Sequence, residues 1–257
     1  MGEVPKSHPR RASLEVRERL VRGYEKGLVC LPGLIAQGRG EAFDYLVGEK
    51  TPPFARRAAK AAACALLLAR NPVISVNGNV AALCPREAVA LAAAVGARLE
   101  INLFYRTEKR VEAIRKALKK AGAKEVLVGS GKDEAAIPEL SSERRRVSRR
   151  GIYSADVVLV PLEDGDRTTA LVRMGKTVIA VDLNPISVTA RAAGITVVDN
   201  VVRALPEMAK AARRLRGRKK GELRAILRGF DNRKARAEAL RWISRRLERL
   251  ARGGKRG

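Results

Sequence analysis

Residues 155–185 read ADVVLVPLEDGDRTTALVRMGKTVIAVDLNP. Two apolar runs, ADVVLVP (155–161) and KTVIAVDLNP (176–185), enclose a stretch in which Ala170, Leu171 and Met174 are spaced as on a short helix over 166–175. The first run is continuous rather than alternating, the mark of a strand buried on both faces. Strand, helix and strand in so few residues predict a parallel βαβ unit. Between the first strand and the helix stand three acids, Glu163, Asp164 and Asp166, around Gly165, with Arg167 next. Two readings fit them. Asp is a favoured N-cap, and acids suit the positive end of a helix dipole. Alternatively, open α/β sheets bind ligands at the carboxyl ends of their strands.

The same alternation extends both ways. Upstream, strands are expected at 71–79, 97–104 and 124–129, with helices at 85–96 and 107–122, the latter capped by Thr107. Downstream come a helical turn at 187–194, a strand at 195–200 and a helix at 201–217. Six β-rich runs alternating with helices predict an α/β fold, a Rossmann-like doubly wound and mainly parallel sheet covered on both faces. Residues 130–151 have little apolar periodicity and read as a long loop. Three helices precede the sheet, at 13–27 (Ser13 as N-cap, Gly27 as C-cap), 31–49 and 52–70. The expected organisation is a helical segment over 1–70, a nucleotide-binding core over 71–217 and a basic helical tail over 218–257. The tail reads as a solvated helix face or a dimer arm.

Composition narrows the chemistry. The chain has 257 residues, enough for one large domain with an ample core. No apolar run approaches the ~18 residues of a membrane span, and the first twenty residues lack the apolar core of a secretory signal. Cys30, Cys64 and Cys84 lie scattered among apolar residues without a CxxC pair, as buried free thiols of a cytoplasmic protein do. His8 is the single histidine, so a multi-histidine zinc site is excluded and a nucleophile–histidine triad would have to use this one residue. The net charge of +26 suits either phosphate-mediated nucleic-acid binding or an enzyme for anionic substrates. Aromatic residues make up only 4%, poor material for base stacking. Within the expected loop, SSERRRVSRR (141–150) reads as either a nucleic-acid contact or a substrate cover whose arginines neutralise anions.

Five polar turns end strands of the expected sheet and so share one rim: NGN (77–79), NLFYR (102–106), EDGDR (163–167), DLN (182–184) and DN (199–200). Gly78 would let backbone approach a phosphate or carboxylate, or simply make a turn. Arg106 can fork an anion, or stand solvated near its helix cap. Arg39 sits between glycines in GRG (38–40), a place for close backbone approach that makes it a phosphate-binding candidate, or else a kink between helices. Asp182 and Asn184 suit ribose hydroxyls, or a plain helix start with Pro185 and Ser187.

Taken together, SHPRRASLEVRERLVRGYEKGLV (7–29), GLIAQGRGEAFDYLVGEKT (33–51), NPVISVNGNVAAL (71–83), EINLFYRTEKRVEAI (100–114), SSERRRVSRRGIYSADVVLVPLEDGDRTTALVRMGKTVIAVDLNP (141–185) and ITVVDNVVRALPEM (195–208) resemble the archaeal phosphopantothenate synthetase family, the 4-phosphopantoate–β-alanine ligases. The resemblance runs from about residue 5 to 210. It implies a homodimer with a Rossmann-like core that uses ATP and Mg²⁺. It also implies condensation of 4-phosphopantoate with β-alanine through an acyl-adenylate, releasing AMP and diphosphate, in coenzyme A biosynthesis. The family's ATP contacts map onto Arg17, Arg39, Asp182, Leu183, Asn184, Val188, Thr189, Asn200 and Val201. The chain departs from the family at Val188, usually Arg, at Gln37, usually His, and at Thr169, usually Glu.

Beyond the resemblance, position suggests Asn77, Asn79, Asn102 and Arg106 for the phosphopantoate. Asp164, Asp166 and Arg167 are the candidates for catalysis, with the two aspartates holding Mg²⁺ or the β-alanine ammonium. The competing expectation is a basic nucleic-acid-binding protein with a Rossmann-like body.

Overall fold

The computed structural model describes residues 5, 7, 8, 10–162 and 164–253. Three helices come first: α1 (Arg11–Glu25), α2 (Leu31–Val47) and α3 (Pro53–Leu68). The core follows as β1 (Pro72–Val76), α4 (Gly78–Leu83), α5 (Pro85–Val95), β2 (Arg98–Ile101), α6 (Glu108–Lys120) and β3 (Leu127–Val128). Next are β4 (Glu134–Ala136) and β5 (Arg146–Ser148), then β6 (Val157–Pro161), α7 (Gly165–Arg173), β7 (Thr177–Val181), α8 (Val188–Ala192), β8 (Ile195–Val197) and α9 (Val201–Leu215). Two further helices close the chain, α10 (Lys220–Arg228) and α11 (Asn232–Ala251).

The six expected strands form one sheet in the order β3-β2-β1-β6-β7-β8, and every pairing in it is parallel. This is a doubly wound sheet whose direction of winding reverses between β1 and β6. Strand side chains alternate between two cores. Ile74, Val76, Leu159, Ile179 and Val181 join the larger one, beneath α3, α5, α6 and α9. Val73, Val158, Val160, Val178 and Ala180 join the smaller one, with Ala170 and Leu171 of α7. Burial on both faces explains why these strands read as unbroken apolar runs.

Two expectations are corrected. Residues 130–151 are not a loop: β4 and β5 form an antiparallel hairpin whose Ala135 and Val147, with Ile137, Leu140 and Ile152, fill the smaller core. Its strands have three residues each, too short for a period to show in the sequence. A carboxylate fastens the hairpin. Glu100 of β2, fully buried, accepts the N–H groups of Ser148 (2.9 Å) and Ile152 (2.6 Å). Gly151 is required there, since a Cβ would lie 1.9 Å from Glu100 Oε2. Second, α1 starts at Arg11, and Ser13 lies inside it, its hydroxyl donating to Arg10 O (3.1 Å). Gly27 follows the helix with φ +71°. In the basic tail, α11 packs one face against the body of the protein. Ala235, Ala239 and Ile243 are buried, and Asn232 accepts Thr196 N–H (2.7 Å) while donating to Ala193 O (2.7 Å). Only the outer face of α11 is solvated, as an amphipathic helix requires.

Candidate active site

Where the winding reverses, the carboxyl ends of β1 and β6 part and leave a cleft of about 590 Å³, roofed by α2. Asn77, one residue past β1, spans the divide. Its Nδ2 donates to Pro161 O (2.9 Å) at the end of β6, and its Oδ1 accepts Val80 N–H (3.0 Å), capping α4. Gly78 is needed for packing: a Cβ would lie 2.1 Å from Leu28 O, so the α1–α2 turn occupies the space a ligand would need. Asn79, also on the cleft wall, donates to Gly33 O (2.9 Å) and ties α4 to α2.

Two guanidinium groups define one end of the cleft. Arg110 of α6, half-buried, donates to Leu28 O (3.0 Å) and to Tyr105 O. Arg144 comes from the hairpin and is buried. Asn102, just past β2, donates to the carbonyls of Arg144 (3.1 Å) and Arg146 (3.0 Å), and Arg144 Nη1 returns a bond to Asn102 O (3.3 Å). Arg144 Nε then lies 3.1 Å from Asp164 Oδ2. The other oxygen of Asp164 accepts Arg167 N–H (3.0 Å) and caps α7. Capping and facing the cleft are therefore both properties of one carboxylate.

The opposite end is built by the turn after β7. Asp182 accepts Asn184 N–H (2.9 Å) and the Ser187 hydroxyl, while Ser187 Oγ accepts Ala190 N–H (2.9 Å) and caps α8. Burial raises the Asp182 carboxyl above the ordinary range, against the opposing pull of Ser187, Asn184 and Arg39. Arg39 faces it from α2, which runs unbroken through Gly38 and Gly40, so the glycines mark no kink. Gly38 has no heavy atom within 4 Å of its Cβ position, and Gly40 meets only Leu183 Cδ1 at 3.8 Å, so close backbone approach does not explain these glycines either. Leu183, Asn184, Val188 and Thr189 complete this wall.

A cleft with cations at both ends, at the switch point of a doubly wound sheet, suits anionic reactants that include a nucleotide. The sequence matches the model of the phosphopantothenate/pantothenate synthetase family over residues 54–246. The 4-phosphopantoate–β-alanine ligase of Thermococcus onnurineus is 56% identical over 254 residues, covering 99% of this chain and 97% of that one. The enzyme of the same name from Thermococcus kodakarensis is 54% identical with the same coverage, and that of Methanosarcina mazei 53% identical over 98% of each chain. The chain belongs to the phosphopantothenate/pantothenate synthetase family.

Within this synthetase-family fold the expected site residues separate. Asn77, Asn79, Asp164, Arg39, Asp182, Leu183, Asn184, Val188 and Thr189 line the cleft together. Seven do not. Arg17 is exposed on α1, in a two-pronged ion pair with Glu41 of α2 (2.7 and 2.9 Å). Asn102 acts on Arg144 from below, and Arg106 turns to Gly129 O (2.8 Å). Arg167 is fully buried under the sheet end, 3.1 Å from Ser75 Oγ. Asp166 is exposed, outside the cleft. Asn200 donates to Asp44 Oδ2 (2.8 Å) in a network with Arg203 and Asp199, and Val201 belongs to the main core. Four of the five polar turns thus reach the cleft, and the DN turn instead locks α2 to α9.

Glu163 lies outside the described residues. Among the described residues no three acid, histidine or cysteine side chains converge as metal ligands. Asp164 faces the cleft while Asp166 stands exposed outside it, so the two aspartates do not converge on the expected magnesium site. Arg110 was not among the expected ligands, and Arg144 was expected only as part of the stretch read as a substrate cover. Arg110 lies four residues beyond Arg106, on a helix whose inward face only packing fixes, and Arg144 is one of five arginines in SSERRRVSRR. That stretch is no free basic stripe either, since Arg146 pairs with Glu134 (2.8 Å) and Arg150 with Glu125 (3.3 Å). Cys30 lies half-buried on the cleft wall, while Cys64 and Cys84 are buried, and all three are free. No helix among the described residues is long and apolar enough to cross a membrane.

Proposed function

We propose that this protein is a 4-phosphopantoate–β-alanine ligase that forms 4′-phosphopantothenate with cleavage of ATP to AMP and diphosphate. The observation that carries the reading is the two-ended cleft, joined to identity above one half with ligases of that name over nearly the whole chain. ATP takes the β7 end. Asp182 and Asn184 face ribose hydroxyls, and Arg39 offsets phosphate charge. Phosphopantoate takes the other end, where Arg110 and Arg144 hold its phosphate and carboxylate. The carboxylate oxygen attacks the α-phosphorus and diphosphate leaves. The β-alanine ammonium gives one proton to solvent, its amine attacks the acyl carbon, AMP departs with the electron pair of the broken C–O bond, and the nitrogen releases its second proton to solvent as the amide forms. Asp164 orients Arg144 and offers the ammonium a carboxylate. Magnesium enters as the counter-ion of the nucleotide's phosphates, a common mode for this ion. Positioning and charge neutralisation supply the catalysis.

The acyl-adenylate step has its own test, exchange of labelled diphosphate into ATP. Exchange should require phosphopantoate and proceed without β-alanine. Exchange that needs β-alanine would rule out this order of steps. The homodimer is part of the same proposal, supported by the exposed apolar residues Tyr24, Leu31 and Ile35 on α1 and α2. Light scattering should give twice the 27.9 kDa chain mass. A monomer mass at micromolar concentration would refute it.

A further inference from the structure

A second concavity, of about 400 Å³, lies away from the reaction cleft, between α11 and the start of α3. Six cations line it: Lys50, Arg57, Arg241, Arg245, Arg246 and Arg249. One carboxylate, Glu238, is present, and it is taken by Arg57. Among the described residues the other five cations have no ion-pair partner. Gathering like charges is unfavourable, and an uncompensated cluster in a concavity concentrates anions. Two further features shape the concavity. The first turn of α3, a helix of sixteen residues, begins at this wall with Pro53 and has no side-chain cap, so its N–H groups and dipole add positive potential. The floor is aromatic. Trp242 stands edge-on to Phe54 (centroids 6.1 Å apart), and its indole N–H is spent on Val47 O (2.8 Å), which fixes the ring.

We propose that this concavity is a second, non-catalytic site for a small organic polyphosphate, an anion with several phosphates and a flat or apolar moiety to lie on Trp242. Its size fits a small molecule, and two rings on one floor do not make the succession of stacking platforms that a nucleic-acid strand uses. The site has a physical connection to the cleft. Arg39, Gly40 and Phe43 of α2 line the cleft, while the carbonyls of Tyr45 and Val47 near the other end of α2 accept bonds from Arg246 (3.4 Å) and Trp242. Leu183 of the cleft wall packs with Val47 and Ile243 of α11. Occupancy therefore bears on the helix that roofs the reaction cleft.

Trp242 is the only tryptophan in the chain, so intrinsic fluorescence reports this site directly. The experiment titrates the full-length protein with inorganic tripolyphosphate and with ATP at fixed ionic strength. A saturable change in Trp242 emission is expected with both. Its midpoint should rise at least about tenfold in the double variant Arg245→Ala, Arg249→Ala, where two charge-assisted contacts are lost. It should stay put in Arg213→Ala, Arg214→Ala, which removes the same charge from the exposed face of α9. No saturable change, or equal shifts in the two double variants, would show general charge screening and overturn the proposal. A tighter midpoint for a single-stranded oligonucleotide than for either polyphosphate would assign the surface to nucleic acid and overturn it as well.

Discussion

Asp164 and Asp166 are two residues apart, yet the structure gives them different work. Asp164 caps α7, faces the cleft and lies 3.1 Å from Arg144 Nε, whereas Asp166 is exposed. Asp164→Ala should lower kcat/KM about 10²-fold, the scale of losing a charge-assisted contact to a reactant, and cost about 1 kcal/mol of stability through the lost cap. Asp166→Ala should leave kcat/KM within about twofold of wild type. Steady-state kinetics and urea unfolding check both, and equal losses in the two variants would contradict the assignment. Arg144→Ala should weaken phosphopantoate far more than ATP. Asp182→Asn should do the reverse, so the pair of KM values separates the two ends of the cleft. The sequence marked Asp182, Asn184 and Asp164 because each stands at the end of a legible strand. It could not rank Arg144 among its arginine neighbours, because that residue's place depends on Asn102, forty-two positions away.

At the scale of elements, the six strands were legible because each is an apolar run between polar turns. The β4–β5 hairpin was not, because its strands are three residues long and its polar ties to the sheet, Glu100 and Asn102, come from distant β2 rather than from a local pattern. Burial, before any other influence, raises the Glu100 carboxyl to about 7, against the pull of the Ile152 and Ser148 N–H groups and of Arg167. The folded state therefore holds this proton more tightly than the unfolded chain, whose carboxyl titrates near 4.5. The stabilisation is fully present below the unfolded value and is lost as pH rises through about 7. The neutral variant Glu100→Gln has no such dependence. Its stability deficit should be largest near pH 5 and shrink by up to about 3 kcal/mol towards pH 8. Urea midpoints across that range test it, and a deficit independent of pH would contradict it. Gly151→Ala should displace the hairpin and with it Arg144, lowering both stability and phosphopantoate affinity. An alanine variant with unchanged KM for phosphopantoate would break that link.

Across the whole molecule, a charge of +26 left nucleic acid and anionic metabolites as competing partners. The fold resolves the charge into separate places. Arg39, Arg110 and Arg144 converge on the cleft, the arginines of α11 gather around Trp242, and Arg146 and Arg150 are consumed in ion pairs. Convergence of this kind is invisible to composition, since it arises only when α2, α6 and the hairpin meet at the carboxyl ends of the central strands. On the proposed function it is also what would let three anionic groups, a triphosphate, a phosphate and a carboxylate, share one pocket. Raising ionic strength should therefore increase KM for phosphopantoate and ATP more than for β-alanine, whose net charge is zero, and a parallel rise in all three would point to a general loss of stability instead. The most direct test of the account is AMP formation by the purified protein with ATP, 4-phosphopantoate and β-alanine, each omitted in turn. AMP should form in step with 4′-phosphopantothenate when all three are present, with no sustained turnover when any one is left out. Sustained AMP release without phosphopantoate, or ADP as the product, would contradict it.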